Sequence, residues 1–202
     1  MNGSKNYQLN QGFTIVELLI ALVVAGILLS VAAPSFSEAM RNSSQLIKTN
    51  ELMGALRLAR SEAIKSSTRT AVCARANDDA CGTDWSNGFL TFIDNGPTPG
   101  SIDAGETILR VAKEVDEGSW ILNRARLRHT AAQPLQRSFI RFGPRGESHW
   151  RGGGYFGICD NRGQDAAKAI NISLSGDPRR ARVVDGTLVS NFGGQAGCGS
   201  GT

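Results

Sequence analysis

Histidine is nearly absent from this chain: His129 and His149 are the only two, too far apart in sequence to define a catalytic pair. Aromatic residues are scarce at 6%. None of the four cysteines, Cys73, Cys81, Cys159 and Cys198, forms a Cys-x-x-Cys pair, and their spacing with the histidines matches no zinc pattern. There is no P-loop and no dinucleotide-binding fingerprint, and Ser61 and Ser148 lack the context of a nucleophile elbow. Asp78, Asp79, Asp84 and Asp94 do not have calcium-loop spacing, and Gly152-Gly153-Gly154 reads as a flexible turn rather than a phosphate cradle. No internal repeat or long linker is visible. These absences argue against an enzyme and leave no cofactor or metal to expect.

What is present begins with one long apolar run. Residues 13–33, FTIVELLIALVVAGILLSVAA, carry a single charge, Glu17. As a helix the run rises about 31 Å, enough to cross the hydrocarbon core of a bilayer. A short polar leader with Lys5 precedes it, which favours a cytoplasmic leader and export of the remainder. An ordinary secretory signal would also start with a charge, and Ser30-Val31-Ala32-Ala33 has the look of a cleavage site. Glu17 argues against that reading, because a carboxylate near the start of a membrane helix is costly and usually has a partner.

Pro34 follows the run and is read as a kink within one long helix that continues over residues 35–66. Leu52, Leu56, Ala59, Ala63 and Ile64, with Met53 nearby, recur at three- and four-residue spacing, a stripe suited to packing on a sheet. Arg57, Arg60 and Glu62 fall on the wetter faces, and Glu62 can pair with Lys65. Such a helix would run roughly 80 Å. Beyond residue 67 come short strand candidates at 68–74, 88–93, 107–111, 120–122, 138–142, 155–159, 169–174 and 181–184, separated by turn-forming residues. One helix followed by many short strands predicts an α+β fold, the helix packed on a C-terminal antiparallel β-sheet head. The expected divisions are 1–12, a leader; 13–34, a membrane or filament-core half; 35–66, an amphipathic half; and 67–202, the head, which forms one domain with 35–66. About 160 residues remain outside the N-terminal segment, enough for a core of their own.

Four cysteines allow three pairings. Sequence order favours Cys73 with Cys81, closing a small loop, and Cys159 with Cys198, tying the tail to the body. Either bond requires an oxidising compartment. The net charge of +4 is carried mainly by arginine. One stretch, Arg124, Arg126, Arg128, Arg137, Arg141, Arg145 and Arg151, has few acidic neighbours. On an exposed strand Arg124, Arg126 and Arg128 would share one face.

The stretch Gly12-Phe13-Thr14-Ile15-Val16-Glu17-Leu18-Leu19 resembles the processing site of type IV pilins and type II secretion pseudopilins. The resemblance implies cleavage between Gly12 and Phe13 by a prepilin peptidase, N-methylation of Phe13, and a role for Glu17 in assembly. With Phe13 as N-terminus, Glu17 lies about one helical turn away, close enough to neutralise the amino group of a neighbouring subunit. A narrower resemblance, to the GspH/FimT family of minor pilins and pseudopilins, rests on LMGALRLARSEAI at 52–64, Thr70-Ala71-Val72-Cys73, Trp85-Ser86-Asn87-Gly88-Phe89, Phe92-Ile93-Asp94 and Phe142-Gly143-Pro144-Arg145-Gly146.

This family resemblance implies an inner-membrane, single-pass protein with a periplasmic head. It would be assembled into a cell-surface pilus or a periplasmic pseudopilus with other major and minor pilins and an inner-membrane assembly platform. Two readings stay open: a minor pilin at a pilus tip or initiation complex, and a type II secretion pseudopilin of the H type. Some FimT-like members bind DNA through a C-terminal Gly-Arg-x-Arg motif. The corresponding place here is Gly176-Asp177-Pro178-Arg179-Arg180-Ala181-Arg182, where Asp177 and Pro178 intervene. Gly-Asp-Pro reads as a turn projecting Arg179, Arg180 and Arg182 together, with Arg162 or Lys168 nearby, for sequence-independent contact with double-stranded DNA. The competing reading is that these arginines solvate strands and pair with neighbouring subunits.

Overall fold

The computed structural model describes residues 13–125, 136–184, 187–190 and 194–198. The chain divides into two compact units, Met1–Arg41 and Asn42–Thr202. A single helix, α1, spans Ile15–Ser66 and continues through position 34.

In the larger unit the helix carries a buried stripe. Gln45, Thr49, Leu52, Leu56, Ala59 and Ala63 succeed one another at spacings of four and three, and all are buried. Met53 and Ala55 widen the stripe. Ile64 departs from the sequence expectation: it is 47% exposed, and its side chain lies over Gly146 rather than in the core. Arg60 also departs. It is half-buried, donating from Nε to the carbonyl of Gly146 at 2.9 Å. Glu62 and Lys65 do pair, at 3.6 Å.

Ten strands follow among the described residues: β1 Thr70–Ala74, β2 Phe89–Ile93, β3 Ile108–Ala112, β4 Ser119–Ala125, β5 Phe139–Phe142, β6 Gly154–Asp160, β7 Lys168–Ile172, β8 Pro178–Arg180, β9 Arg182–Val184 and β10 Thr187–Val189. They form two four-stranded sheets, β3-β2-β1-β5 and β4-β6-β7-β8, and a separate β9–β10 ribbon. Every pairing is antiparallel. The apolar stretch 169–174 stops being a strand at Ile172, because Ser173 accepts from the Gly176 N–H and donates its own N–H to Asp177, closing a turn. The chain then pairs again as β8, opened by Pro178, the position where a strand tolerates a missing donor.

The stripe of α1 and one face of each sheet share the main core, which includes Val72, Phe89, Ile140, Phe156, Ile158 and Ile170. The scarce aromatics collect there. Trp85 meets Phe156 edge-on with ring centres 4.8 Å apart, and Trp150 stacks on Phe156 at 5.2 Å. Each indole N–H has an acceptor inside the fold, Trp85 at the Arg137 carbonyl (2.7 Å) and Trp150 at the Phe139 carbonyl (3.2 Å), so neither ring leaves a buried donor unpaired.

The outer faces are buried as well. Ala71, Cys73, Leu90 and Phe92 pack under Cys81, Ile102 and Ile108; Tyr155, Ala169, Leu188 and Ala196 pack with Leu122 and Cys198. Burial on both sides explains why β1 and β6 read as continuous apolar runs rather than alternating ones. The loop bringing Ile102 over its sheet is closed by its own carboxylates. Glu106 accepts the N–H groups of Asn95 and Gly96 at one oxygen and that of Asp103 at the other.

Two packing details carry measurable consequences. An added methyl at Gly154 would sit 2.7 Å from both the Trp150 ring and the Arg124 carbonyl. Gly154→Ala is therefore expected to destabilise the head by about 1–3 kcal/mol, read as a lower urea midpoint with the disulfides intact. His149 stacks on Phe139 at 4.7 Å and accepts the Arg141 N–H at Nδ1. Burial, with the charges of Arg141 and Arg137 nearby, pulls its pKa down to about 4. The unfolded chain then takes up this proton first, so stability is full above the ordinary value of 6.5 and falls as pH drops toward 4. His149→Phe should flatten the stability-versus-pH slope in that window in equilibrium denaturation; an unchanged slope would remove this account.

Candidate functional site

Three surfaces bear on function. The first is the N-terminal part of α1. It is apolar enough to span a membrane, with a mean hydropathy of 2.8 in its most apolar 18-residue window, none of it buried within the chain. Phe13 is 83% exposed, and Ile20, Val23 and Ile27 are each about three-fifths exposed. Glu17 sits in the first turn, where its backbone N–H donates to Thr14 Oγ1 at 3.2 Å. A carboxylate at a helix N-terminus is favoured by the helix dipole. Ser30 turns its hydroxyl back onto the Ile27 carbonyl at 2.7 Å, hiding a polar group on an otherwise apolar surface. Gly12 and the leader lie outside the described residues.

The second surface is the cross-linked exterior of the head. Cys73 of β1 is bonded to Cys81, and Cys159 of β6 to Cys198. The first closes a separation of eight residues and the second one of 39. Each runs from a strand to the segment covering that strand's outer face.

The third is the set of C-terminal arginines. Gly176 has φ 81°, and a Cβ there would lie 2.5 Å from the Gly146 carbonyl oxygen, so the turn that starts the motif needs glycine. The structure separates the arginines that follow. Arg179 lies opposite Asn171 and Arg180 opposite Ile170, so period-two alternation sends them to opposite faces of β8. Arg179 is held by Asp177, Nε to Oδ2 at 2.6 Å, with its side chain still 77% exposed. Arg180 donates to Asn50 on α1. Arg182 begins the next ribbon and is exposed, with no ion-pair partner among the described residues. Asp177 also meets Arg60 at 3.7 Å. Arg162 is engaged by Asp160 and by Asn42, whereas Lys168, half-buried on β7, lines one cavity together with Arg180.

Of the other basic candidates, Arg126 and Arg128 lie outside the described residues. Arg124 is half-buried opposite Tyr155, which it contacts; burial raises the tyrosine pKa and Arg124 offsets part of that rise. Arg141 approaches the fully buried Asp94 at 3.7 Å. Burial raises the Asp94 pKa, against the lowering effects of the Gly100 N–H bond and Arg141. Among the described residues no group of three or more His, Cys, Asp or Glu is placed to hold a metal ion.

Comparison with known proteins bears on both parts of the chain. Residues 48–176 match the family described as Type II transport protein GspH, and residues 8–33 match the prokaryotic N-terminal methylation motif. Among solved structures, the minor pilin FimU of Pseudomonas aeruginosa aligns with a TM-score of 0.52 at 21% identity, covering 71% of this chain and 91% of that one. The same protein in a second crystal form gives 0.48 at 21% identity, over 66% and 89% of the two chains. The minor pseudopilin EpsH of Vibrio cholerae gives 0.45 at 12% identity, over 68% and 95%. A comparison with curated proteins gives no match. The FimU likeness at this identity establishes a shared fold, and the family match extends over more than half of the chain. With one N-terminal membrane-spanning helix, a methylation motif and an α+β head, this chain belongs to the GspH family of the type IV pilin and pseudopilin superfamily, as a protein anchored in the inner membrane.

Proposed function

We propose that this chain is a minor pilin, cleaved between Gly12 and Phe13, methylated at Phe13, and built into the tip or initiation complex of a type IV pilus. Prepilin peptidase, an assembly platform and other major and minor pilins are its partners. One observation carries this reading: residues 13–29 expose a nearly continuous apolar surface interrupted by a single charge at Glu17. That surface suits a bilayer before assembly and the helices of other subunits afterwards. In a dry filament core Glu17 would need an opposite charge, and the free N-terminal amine of an adjacent subunit supplies one. The alternative destination is a secretion pseudopilus, which needs the same helix and the same pair.

The test is incorporation in the native host. Glu17→Ala should still be processed and membrane-anchored, yet fall at least ten-fold in the sheared filament fraction, equivalent to about 1.4 kcal/mol of weakened assembly. Parental incorporation would sink the role given to Glu17. Recovery of the parent from periplasmic secretion filaments, and never from sheared surface pili, would decide for the pseudopilin alternative.

Sequence-independent DNA contact is the further part of the proposal, centred on Gly176, Arg179, Arg180 and Arg182. It is favoured by the exposure of Arg179 and Arg182, and weakened by the Asp177 and Asn50 partners of Arg179 and Arg180. Full-length protein in uncharged detergent should bind duplex DNA in a salt-dependent manner. The Arg179→Ala/Arg180→Ala/Arg182→Ala variant should bind more weakly and with a shallower salt slope, by about 0.9 for each phosphate it no longer neutralises. Equal binding by parent and variant would remove these residues from the interface.

A further inference from the structure

The basic surface of the head contains a second, differently built feature. β1 and β5 pair so that Thr70 lies opposite Phe142 and Ala71 opposite Arg141. This register brings the residue before β1, Arg69, level with the turn after β5. The same turn folds back, with Phe142 bridged to Ser148 and the His149 N–H donating to the Arg141 carbonyl at 2.9 Å. The result is a cavity of about 200 Å³ whose lining includes Arg69, Arg141, Arg151, Ser148 and Glu147. Three guanidinium-bearing residues that are 72 and 10 positions apart in sequence (69 to 141, 141 to 151) thus share one small polar recess.

The charges in this recess are not balanced from within. Among the described residues Arg69 and Arg151 have no ion-pair partner. Arg141 has Asp94, at 3.7 Å, a separation too long for a charge-assisted hydrogen bond. Glu147 is the one acid in the lining, and its Oε2 already accepts the Arg145 N–H at 3.1 Å. Three positive groups therefore face one lining carboxylate, with Asp94 behind them. Guanidinium groups present paired donors that match the oxygens of a tetrahedral oxyanion. The volume admits one such group with a few waters.

We propose that this recess is a binding site for a single phosphate-type oxyanion, held by Arg69, Arg141 and Arg151. It is independent of the role assigned to Arg179, Arg180 and Arg182, which belong to another turn and strand. The phosphate can be free in solution or part of a phosphodiester strand crossing the β1–β5 end of the head; the chemistry recognised is the same.

The test uses the full chain in uncharged detergent, titrated with inorganic phosphate at constant ionic strength against chloride, and followed by backbone amide NMR shifts. Saturable shifts confined to residues 69–70 and 141–151 are expected in the parent. Arg69→Gln/Arg151→Gln, which leaves the Arg141–Asp94 contact in place, should weaken binding at least about ten-fold while keeping the parental spectrum elsewhere. Absence of saturable shifts in the parent, or unchanged affinity in that folded variant, would overturn the proposal. A four-nucleotide single-stranded DNA that competes with phosphate at these resonances identifies a phosphodiester as the source. If phosphate binds and the oligonucleotide does not compete, the site is for the free ion. DNA binding abolished only in the Arg179–Arg182 variant, with phosphate binding intact, separates the two sites.

Discussion

Each sheet of the head has two faces to bury, and one helix can cover only one of them. Most of the architecture follows from that inequality. The stripe from Gln45 to Ala63 occupies the inner faces, and Trp85 and Trp150 fill the space around Phe156. The outer faces are left to irregular chain, which binds weakly by itself because it must be ordered against its conformational entropy. Cross-links and turn-closing carboxylates offset that cost. Cys81 and the loop closed by Glu106 cover the first sheet, and Cys198 and the β9–β10 ribbon cover the second.

The N-terminal part of the helix solves the opposite problem, since nothing in its own unit covers it. Exposed apolar surface on this scale marks a segment whose environment is something other than water. Its hydropathy suits a bilayer, and the proposed function adds the helices of other subunits after assembly. The helix therefore reads as two materials joined end to end, one apolar all round and one with a single apolar face.

Much of this was legible in the sequence because the signals are local. A run of apolar residues around one carboxylate, and a three-four spacing of Leu52, Leu56, Ala59 and Ala63, need no knowledge of distant chain. What the sequence hid depends on pairing. The strands stand out, but their division between two sheets does not, since β1 takes β2 and β5 as neighbours across nearly seventy residues. Spacing alone puts Ile64 in the stripe, yet Gly146 gives it an exposed resting place instead. The arginines after Gly176 look like one cluster because neighbours in sequence seem close; once β8 forms, alternation sends two of them to opposite faces. Arg69 gives no signal of its own, because only the β1–β5 register brings it beside Arg141 and Arg151.

The covering of the second sheet by a segment tethered through Cys198 has a consequence for when the protein becomes itself. Without that bond Tyr155, Ala169 and Leu188 would have a lid but no latch, and the exposed apolar face would favour aggregation. A membrane anchor would hold that unlatched chain at the boundary it must cross, dispersed in two dimensions rather than free to aggregate in three. On the proposed function, oxidation on the far side would then act as an address check: a head on the wrong side of the membrane would stay unlatched, and only one that had crossed would be locked for assembly.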